Sequence, residues 1–174
     1  VGRGDRAGTG LVITSKTTGD KNFALMITAR HVVETQGQAW AKRLDKMLPA
    51  VSIPIDGKNV TVWWDGNGQD IAAFAVETEE LWQPYSLGVA KAGQTYHAYG
   101  FGSGSFKATR LKTKYRLEGT VRSGDSGGPI FNGDHQIVGM AIEITGTGMP
   151  PVWTHTNAVE PEVIGDFAQR VLNK

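Results

Sequence analysis

Short apolar or alternating runs, punctuated by glycine, asparagine and aspartate, recur along most of the chain. Gly10-Leu11-Val12-Ile13-Thr14 predicts a strand, Ser15 to Lys21 a polar turn, and Phe23-Ala24-Leu25-Met26-Ile27-Thr28 a second strand, so the pair reads as a hairpin. Further strands are predicted at Val60–Trp64, Ile71–Val76, Thr95–Gly100, Thr109–Leu117, Pro129–Phe131, Gln136–Ile142 and Val152–Thr156. Trp40, Leu44 and Leu48 recur at helical spacing, which predicts a short helix over Thr35 to Leu48 that Pro49 ends. The period changes again at Pro161, a residue a helix start tolerates. From there Ile164, Phe167, Ala168, Val171 and Leu172 form an apolar stripe that predicts a terminal helix packed on a β body. Many short strands and one closing helix argue for an all-β barrel or sandwich. Leu81 to Gly93, with Pro84 and two glycines, is the expected connection between two halves, residues 1–84 and 85–174.

Composition narrows this picture. At 174 residues the chain fits one compact unit or two small barrels sharing an interface. Its 40 % apolar and 20 % charged residues are ordinary for a globular protein. No apolar run approaches the roughly 20 residues that span a bilayer, so no membrane contact is expected from this segment. The opening Val-Gly-Arg-Gly-Asp-Arg lacks the apolar core of a signal peptide, which says nothing about a longer precursor. A net charge of +1 argues neither for nor against a polyanionic partner. The absence of cysteine excludes a thiol nucleophile, a cysteine metal site and a disulfide framework, and it fits an intracellular or bacterial origin.

Gly124-Asp125-Ser126-Gly127-Gly128-Pro129 carries the strongest chemical signal. Glycines around a serine let a substrate carbonyl approach without a Cβ clash. The amides of Gly124 and Ser126 can then share one hollow, where they would stabilise an oxyanion. Serine at its own pKa is a poor nucleophile and needs a base. His31, just past the apolar strand in Thr28-Ala29-Arg30-His31-Val32-Val33, is better placed for that role than His97, His135 or His155. The base in turn needs a carboxylate to orient it. Asp70 opens the apolar run Asp70-Ile71-Ala72-Ala73-Phe74 and is favoured; Asp65, in Trp64-Asp65-Gly66-Asn67-Gly68, is the rival, although turn chemistry explains it well.

The order Thr-Ala-Arg-His-Val, Asp-Ile-Ala, Gly-Asp-Ser-Gly-Gly-Pro resembles the chymotrypsin-like serine protease family. Gly8-Thr9-Gly10-Leu11-Val12-Ile13 is similar to the family's early strand. Gln136-Ile137-Val138-Gly139-Met140-Ala141 and Pro150-Pro151-Val152-Trp153-Thr154 are similar to the strands that wall its specificity pocket. The resemblance implies two antiparallel six-stranded β-barrels with a C-terminal helix, His31 and Asp70 coming from the first barrel and Ser126 from the second. It also implies a serine endopeptidase that needs no cofactor or metal and acts on a polypeptide. By position it places Thr120, Val121, Ala141, Ile144 and Pro151 at the substrate pocket, with Ile142 and Glu143 on the same strand. None of the first five supplies a buried charge, so a small or medium uncharged residue before the scissile bond is expected. Asp125, which in digestive members pairs with a freed N-terminal amine, is expected here to take a local hydrogen bond. Small size, no cysteine and short spacings are most similar to viral polyprotein-processing proteases of the astrovirus, sobemovirus and arterivirus type. A replicase polyprotein in the host-cell cytoplasm, including the enzyme's own, is then the expected substrate. A cysteine-free bacterial, secreted trypsin-like protease is the alternative.

Lys107 to Arg116 concentrates cations, and Arg110, Lys112, Lys114 and Arg116 alternate as on one face of a strand. A solvated outer face explains them; weak RNA contact is the functional reading. A protease fold that has lost turnover and serves as an RNA-binding or scaffold protein is therefore kept beside the enzyme. A metalloenzyme is least favoured, because no paired ligand spacing is present.

Overall fold

The computed structural model describes residues 2–3, 6–33, 50–55, 58–65, 68–102, 107–113, 116–118, 122–147 and 152–174. In chain order these form β1 (Gly2–Arg3), β2 (Arg6–Ala7), β3 (Gly10–Thr18), β4 (Lys21–Thr28), the one-turn helix α1 (Arg30–Val33), β5 (Ala50–Ile55), β6 (Lys58–Trp64) and β7 (Ala72–Thr78). There follow β8 (Thr95–Ala98), β9 (Lys107–Thr113), β10 (Arg116–Glu118), β11 (Pro129–Phe131), β12 (Ile137–Thr147), β13 (Val152–Val159) and the helix α2 (Pro161–Leu172). The helix expected over Thr35 to Leu48 falls outside the described residues. No helix among the described residues is long and apolar enough to cross a membrane.

The expected hairpin is present but longer than its apolar runs. Thr18 stands opposite Lys21, and the turn contracts to Gly19-Asp20 with Gly19 at φ 63°. The serine and threonines of the outer half adopt extended backbone readily, so strand pairing continues past the point where apolar burial stops. No strand was predicted at β5, which contains Pro54. The proline is tolerated because β5 is the edge of the sheet β3-β4-β7-β6-β5, where a missing ladder donor costs least.

Strands of the second half close on themselves in the order β10-β13-β12-β11-β8-β9. The two six-stranded barrels implied by the sequence are therefore not what the described residues form: one sheet is a ring of six strands and the other has five. A second correction concerns the cationic run. The chain reverses within it, and Arg116 of β10 pairs with Thr113 of antiparallel β9. Folding back lets Arg116 and Leu117 pair with Thr113 and Leu111 on one side while β10 pairs with β13 on the other. Arg110 and Lys112 thus lie on one strand and Arg116 on the next; Lys114 is outside the described residues. The expected single strand over Thr109–Leu117 is thus two paired strands.

One buried cluster spans both sheets and the closing helix. Leu11, Leu25 and Ile27 of the first sheet meet Ile137, Met140 and Val159 of the ring, with Ile164, Phe167, Ala168 and Val171 of α2 packed in. Ile164 and Phe167 are fully enclosed, and each such side chain is worth roughly 2–3 kcal/mol of burial. Leu172, expected on the same stripe, is instead 46 % exposed at the frayed end of the helix.

α2 is also fastened by charge. Arg170 Nη2 lies 2.6 Å from Asp65 Oδ1, and the Asp65 side chain is only 2 % exposed. Removing one partner of an enclosed pair strands the other charge, whereas Arg170, at 29 % exposure, leaves some room for water to enter. Arg170→Ala is expected to lower stability by about 2–3 kcal/mol, with Arg170→Lys falling between it and the parent. Urea denaturation of the three proteins checks this.

Candidate active site

The pairing of β4 with β7 brings the first two functional side chains together. Thr28 stands opposite Ala72 in an antiparallel register. Two residues beyond the end of that ladder in each direction lie Arg30 and Asp70, so the residue after Arg30 is carried to Asp70 by register alone. Ala29, Val32 and Val33 are buried and hold α1 against the sheet, while the His31 ring keeps 43 % of its surface exposed.

Asp70 grips His31 twice. The His31 amide donates to Oδ1 at 2.9 Å, and the ring Nδ1 lies 2.6 Å from Oδ2. The first bond fixes the backbone of α1 relative to the carboxylate; the second fixes the ring plane and assigns the Nδ1 proton to the side facing Asp70. In that neutral tautomer Nε2 is the acceptor nitrogen. Burial by itself raises the Asp70 pKa. The hydrogen bond and charge of the His31 ring, its amide, and the Arg30 guanidinium together outweigh that effect and hold the carboxyl below 3.8, its ordinary value.

Asp65, the rival carboxylate, is enclosed and engaged by Arg170. Its amide donates to the Ile71 carbonyl at 3.2 Å, closing the loop that presents Asp70. The structure thus brings Asp70 to His31 and makes Asp65 a fastening for α2. Among the other histidines, His97 is half-buried in β8 opposite Phe131, and His135 is exposed in a turn at φ 58°. His155 lies in β13, opposite Thr145.

Ser126 rides on a turn made almost entirely by backbone. Gly124 and Gly127 have φ of 93° and 86°, a region that side chains disfavour. The Asp125 amide donates to the Arg122 carbonyl, the Gly128 amide to the Asp125 carbonyl, and the Gly127 amide to Ala141 at 2.7 Å. Asp125 is buried, and its Oδ2 accepts the Arg122 amide at 2.8 Å, the local bond expected from the sequence. Among the described residues no acceptor is paired with the amide of Gly124 or of Ser126. That is the condition an oxyanion-binding hollow requires.

Close backbone approach brings this turn to the end of β4 beside α1. A Cβ added at Gly127 would fall 2.1 Å from the Thr9 carbonyl oxygen, 2.4 Å from Thr28 Oγ1 and 2.9 Å from the Ala29 amide nitrogen. The serine turn therefore presses directly on the end of β4 and the start of α1. Gly8 fits between Val32 and the Ser126 carbonyl with equally little room. The segment Gly100-Phe101-Gly102 passes along the other side, where a Cβ at Gly100 would strike the Asp125 carboxylate and one at Gly102 the Ser123 carbonyl. Sequence reasoning did not single out Thr9, Gly100 or Gly102. A threonine between glycines at a strand start and a Gly-Phe-Gly triplet were the available signals.

The expected substrate residues are distributed along β12 and beyond the described part. Ala141 is buried, with its amide donating to the Gly128 carbonyl and its carbonyl accepting from Gly127, so its backbone supports the serine turn. Ile142 packs on the shared core. Glu143 and Ile144 stand opposite Asn157 and Thr156 of β13. Thr120, Val121 and Pro151 lie outside the described residues.

The model of the family described as "Trypsin-like peptidase domain" matches residues 8–140. No curated protein matches the sequence. Among solved structures, the chain is similar to the apo MamO protease domain from Magnetospirillum magneticum. The identity is 18 %, the TM-score 0.63, and the alignment covers 95 % of this chain and 92 % of that one. At that identity the likeness speaks for the fold. The family match runs from the strand before His31 to the strand after Ser126, and the chain belongs to the trypsin-like peptidase domain family.

Proposed function

We propose that this peptidase is a serine endopeptidase in which Ser126 is the nucleophile, His31 the general base and Asp70 the residue that orients the base. The observation that carries the reading is the double grip of Asp70 on His31 beside a serine turn whose Gly124 and Ser126 amides are left unpaired within the described protein. Ser126 Oγ attacks the scissile carbonyl and passes its proton to His31 Nε2. The carbonyl oxygen, now negative, is held by the two amides. His31 then delivers that proton to the leaving nitrogen as the C–N bond breaks, giving an acyl-enzyme. Water repeats the sequence against the acyl carbon and restores Ser126.

The topology supports a place for the substrate backbone. β12 pairs with β11 only as far as Met140, and Ala141 is tied to the serine turn. From Glu143 onward β13 is its strand partner on one side among the described residues. The opposite edge, at Ile142 to Ile144, begins beside Ser126 and suits addition of an extended peptide as a further strand.

Neither the family match nor the fold supports the viral polyprotein role over its alternative. A cysteine-free bacterial trypsin-like protease meets the same observations equally well, so the proposal is cleavage of polypeptide by this triad.

Labelling with a fluorophosphonate near pH 8, read by intact mass, tests the proposal. One adduct is expected on the parent and none on Ser126→Ala; a parent that is folded and unlabelled would sink the reading. Ser126→Ala and His31→Ala are each expected to lose at least about 10⁴-fold in kcat with the melting temperature nearly unchanged. Asp70→Asn is expected to lose about 10³–10⁴-fold. Asp65→Asn should instead lose stability and keep most of its turnover at temperatures where it is folded.

The depressed Asp70 pKa adds a pH signature. A carboxyl held below its unfolded value contributes stability that is full above that value and is lost as pH falls through the folded one. The stability difference between the parent and Asp70→Asn is therefore expected to be largest near neutrality. It should close as pH falls from the ordinary carboxylate value of 3.8 to below the depressed folded value. Denaturation curves for both proteins over a series of acidic pH values check this.

A further inference from the structure

Thr9 makes more contacts with the serine turn than its position in the chain would suggest. It lies just ahead of β3, is only 3 % exposed, and uses every polar group it has. Its amide donates to the Ser126 carbonyl at 2.8 Å. Its hydroxyl donates to the Gly124 carbonyl at 2.9 Å and accepts the Phe101 amide at 3.0 Å. Its carbonyl accepts the Thr28 hydroxyl at 2.7 Å.

The direction of the hydroxyl follows from what each neighbour can do. The Phe101 amide is a donor only, so Oγ1 must accept from it. The single hydroxyl proton is then committed to the Gly124 carbonyl, which is an acceptor only. Peptide planes are rigid, so holding a carbonyl also sets the amide on the other side of the same bond. Thr9 holds the peptide between Gly124 and Asp125 through its side chain and the peptide between Ser126 and Gly127 through its backbone. These two bracket the peptide that presents the Ser126 amide. Gly124, at φ 93°, has no Cβ to limit its rotation, so its orientation has to come from outside the residue.

We propose that the Thr9 hydroxyl is a positioning element for the oxyanion hollow: relayed from the Phe101 amide to the Gly124 carbonyl, it holds the peptide plane that lies between those carrying the Gly124 and Ser126 amides and so limits how far the two can turn apart. The inference rests on the serine endopeptidase reading. It assigns a role to the side chain in particular, since any residue could supply the backbone bonds to Ser126 and Thr28. Thr9→Val preserves shape and both backbone bonds while leaving the Phe101 amide and Gly124 carbonyl without their partner.

Steady-state kinetics on a peptide substrate and the affinity of a peptide aldehyde, whose adduct places an oxyanion in the hollow, test the proposal. Loss of a direct oxyanion donor costs about 10²–10³-fold, and a residue acting through that donor is expected to cost less, about 10–100-fold. Thr9→Val is expected to lower kcat by that factor, weaken the aldehyde by a similar factor and leave KM within about twofold. Thr9→Ser, which keeps the hydroxyl, is expected to restore most of both. Should Thr9→Val fail to fold, Thr9→Ala is read in the same way. Full kcat and aldehyde affinity in the hydroxyl-free variant would overturn the proposal. Equal losses in Thr9→Ser and Thr9→Val would overturn it too, because packing would then be the cause. An unlabelled parent in the fluorophosphonate experiment would remove the endopeptidase reading itself, and this inference with it.

Discussion

The site exists because two backbones approach until no Cβ fits between them. At Gly127 the serine turn rests on the Thr9 carbonyl, the Thr28 hydroxyl and the Ala29 amide, each closer to a notional Cβ than van der Waals contact allows. A side chain there would lift the turn away from Thr9, Thr28 and Ala29. The usual conformational disadvantage of glycine is accepted at this place because the close approach is what assembles chemistry from distant parts of the chain. The same contact explains why the bonds across it come from main-chain groups and short hydroxyls: nothing longer has room.

Holding such an approach demands that the two sheets stay in register with one another. A shared core does this, with β3 and β4 facing β12 and β13 and α2 filling the remaining side. Apolar burial is strong but not directional. The Asp65–Arg170 pair adds direction, since one carboxylate at the mouth of the loop before Asp70 receives one guanidinium from the end of the closing helix. The loop that presents Asp70 is thus closed by Asp65 at its base and braced by the C-terminal helix from outside. A part of the chain far from the triad in sequence contributes to the mounting of its carboxylate.

How much of this was legible depends on the kind of signal each part leaves. Strand periods, the terminal helix from Pro161 and the hexapeptide around Ser126 are local patterns, and they could be read directly. The pairing of His31 with Asp70 was readable because the residues before and after them form two apolar strands whose antiparallel pairing carries one residue to the other. β5 contains Pro54, whose cost depends on being at a sheet edge, and edge position is a property of the whole sheet. The reversal after Thr113 was hidden because alternating cations continue through it without a glycine to mark the turn. Thr9 left almost no signal. A threonine between two glycines is common turn chemistry, and only the fold shows that its hydroxyl is spent on a carbonyl 115 residues away.

Asp70 illustrates how position decides the value of a charge. It is buried enough to meet a desolvation penalty, which alone would favour its neutral form. The ring hydrogen bond and charge of His31, its amide and the nearby Arg30 outweigh that preference and hold the carboxyl below its ordinary value. An ionised Asp70 would stabilise an imidazolium at His31 in the proposed mechanism. Because one oxygen is committed to the His31 amide, the carboxylate cannot swing to follow the ring, and the ring cannot turn its Nδ1 away without breaking a short bond. Asp65, more deeply buried, has its charge met by a guanidinium instead, and a permanent cation leaves no proton to move. Two aspartates five residues apart in sequence therefore differ in what they can do because of the partner each meets. A titratable partner makes Asp70 suited to orienting a base, and a fixed one makes Asp65 suited to holding the fold.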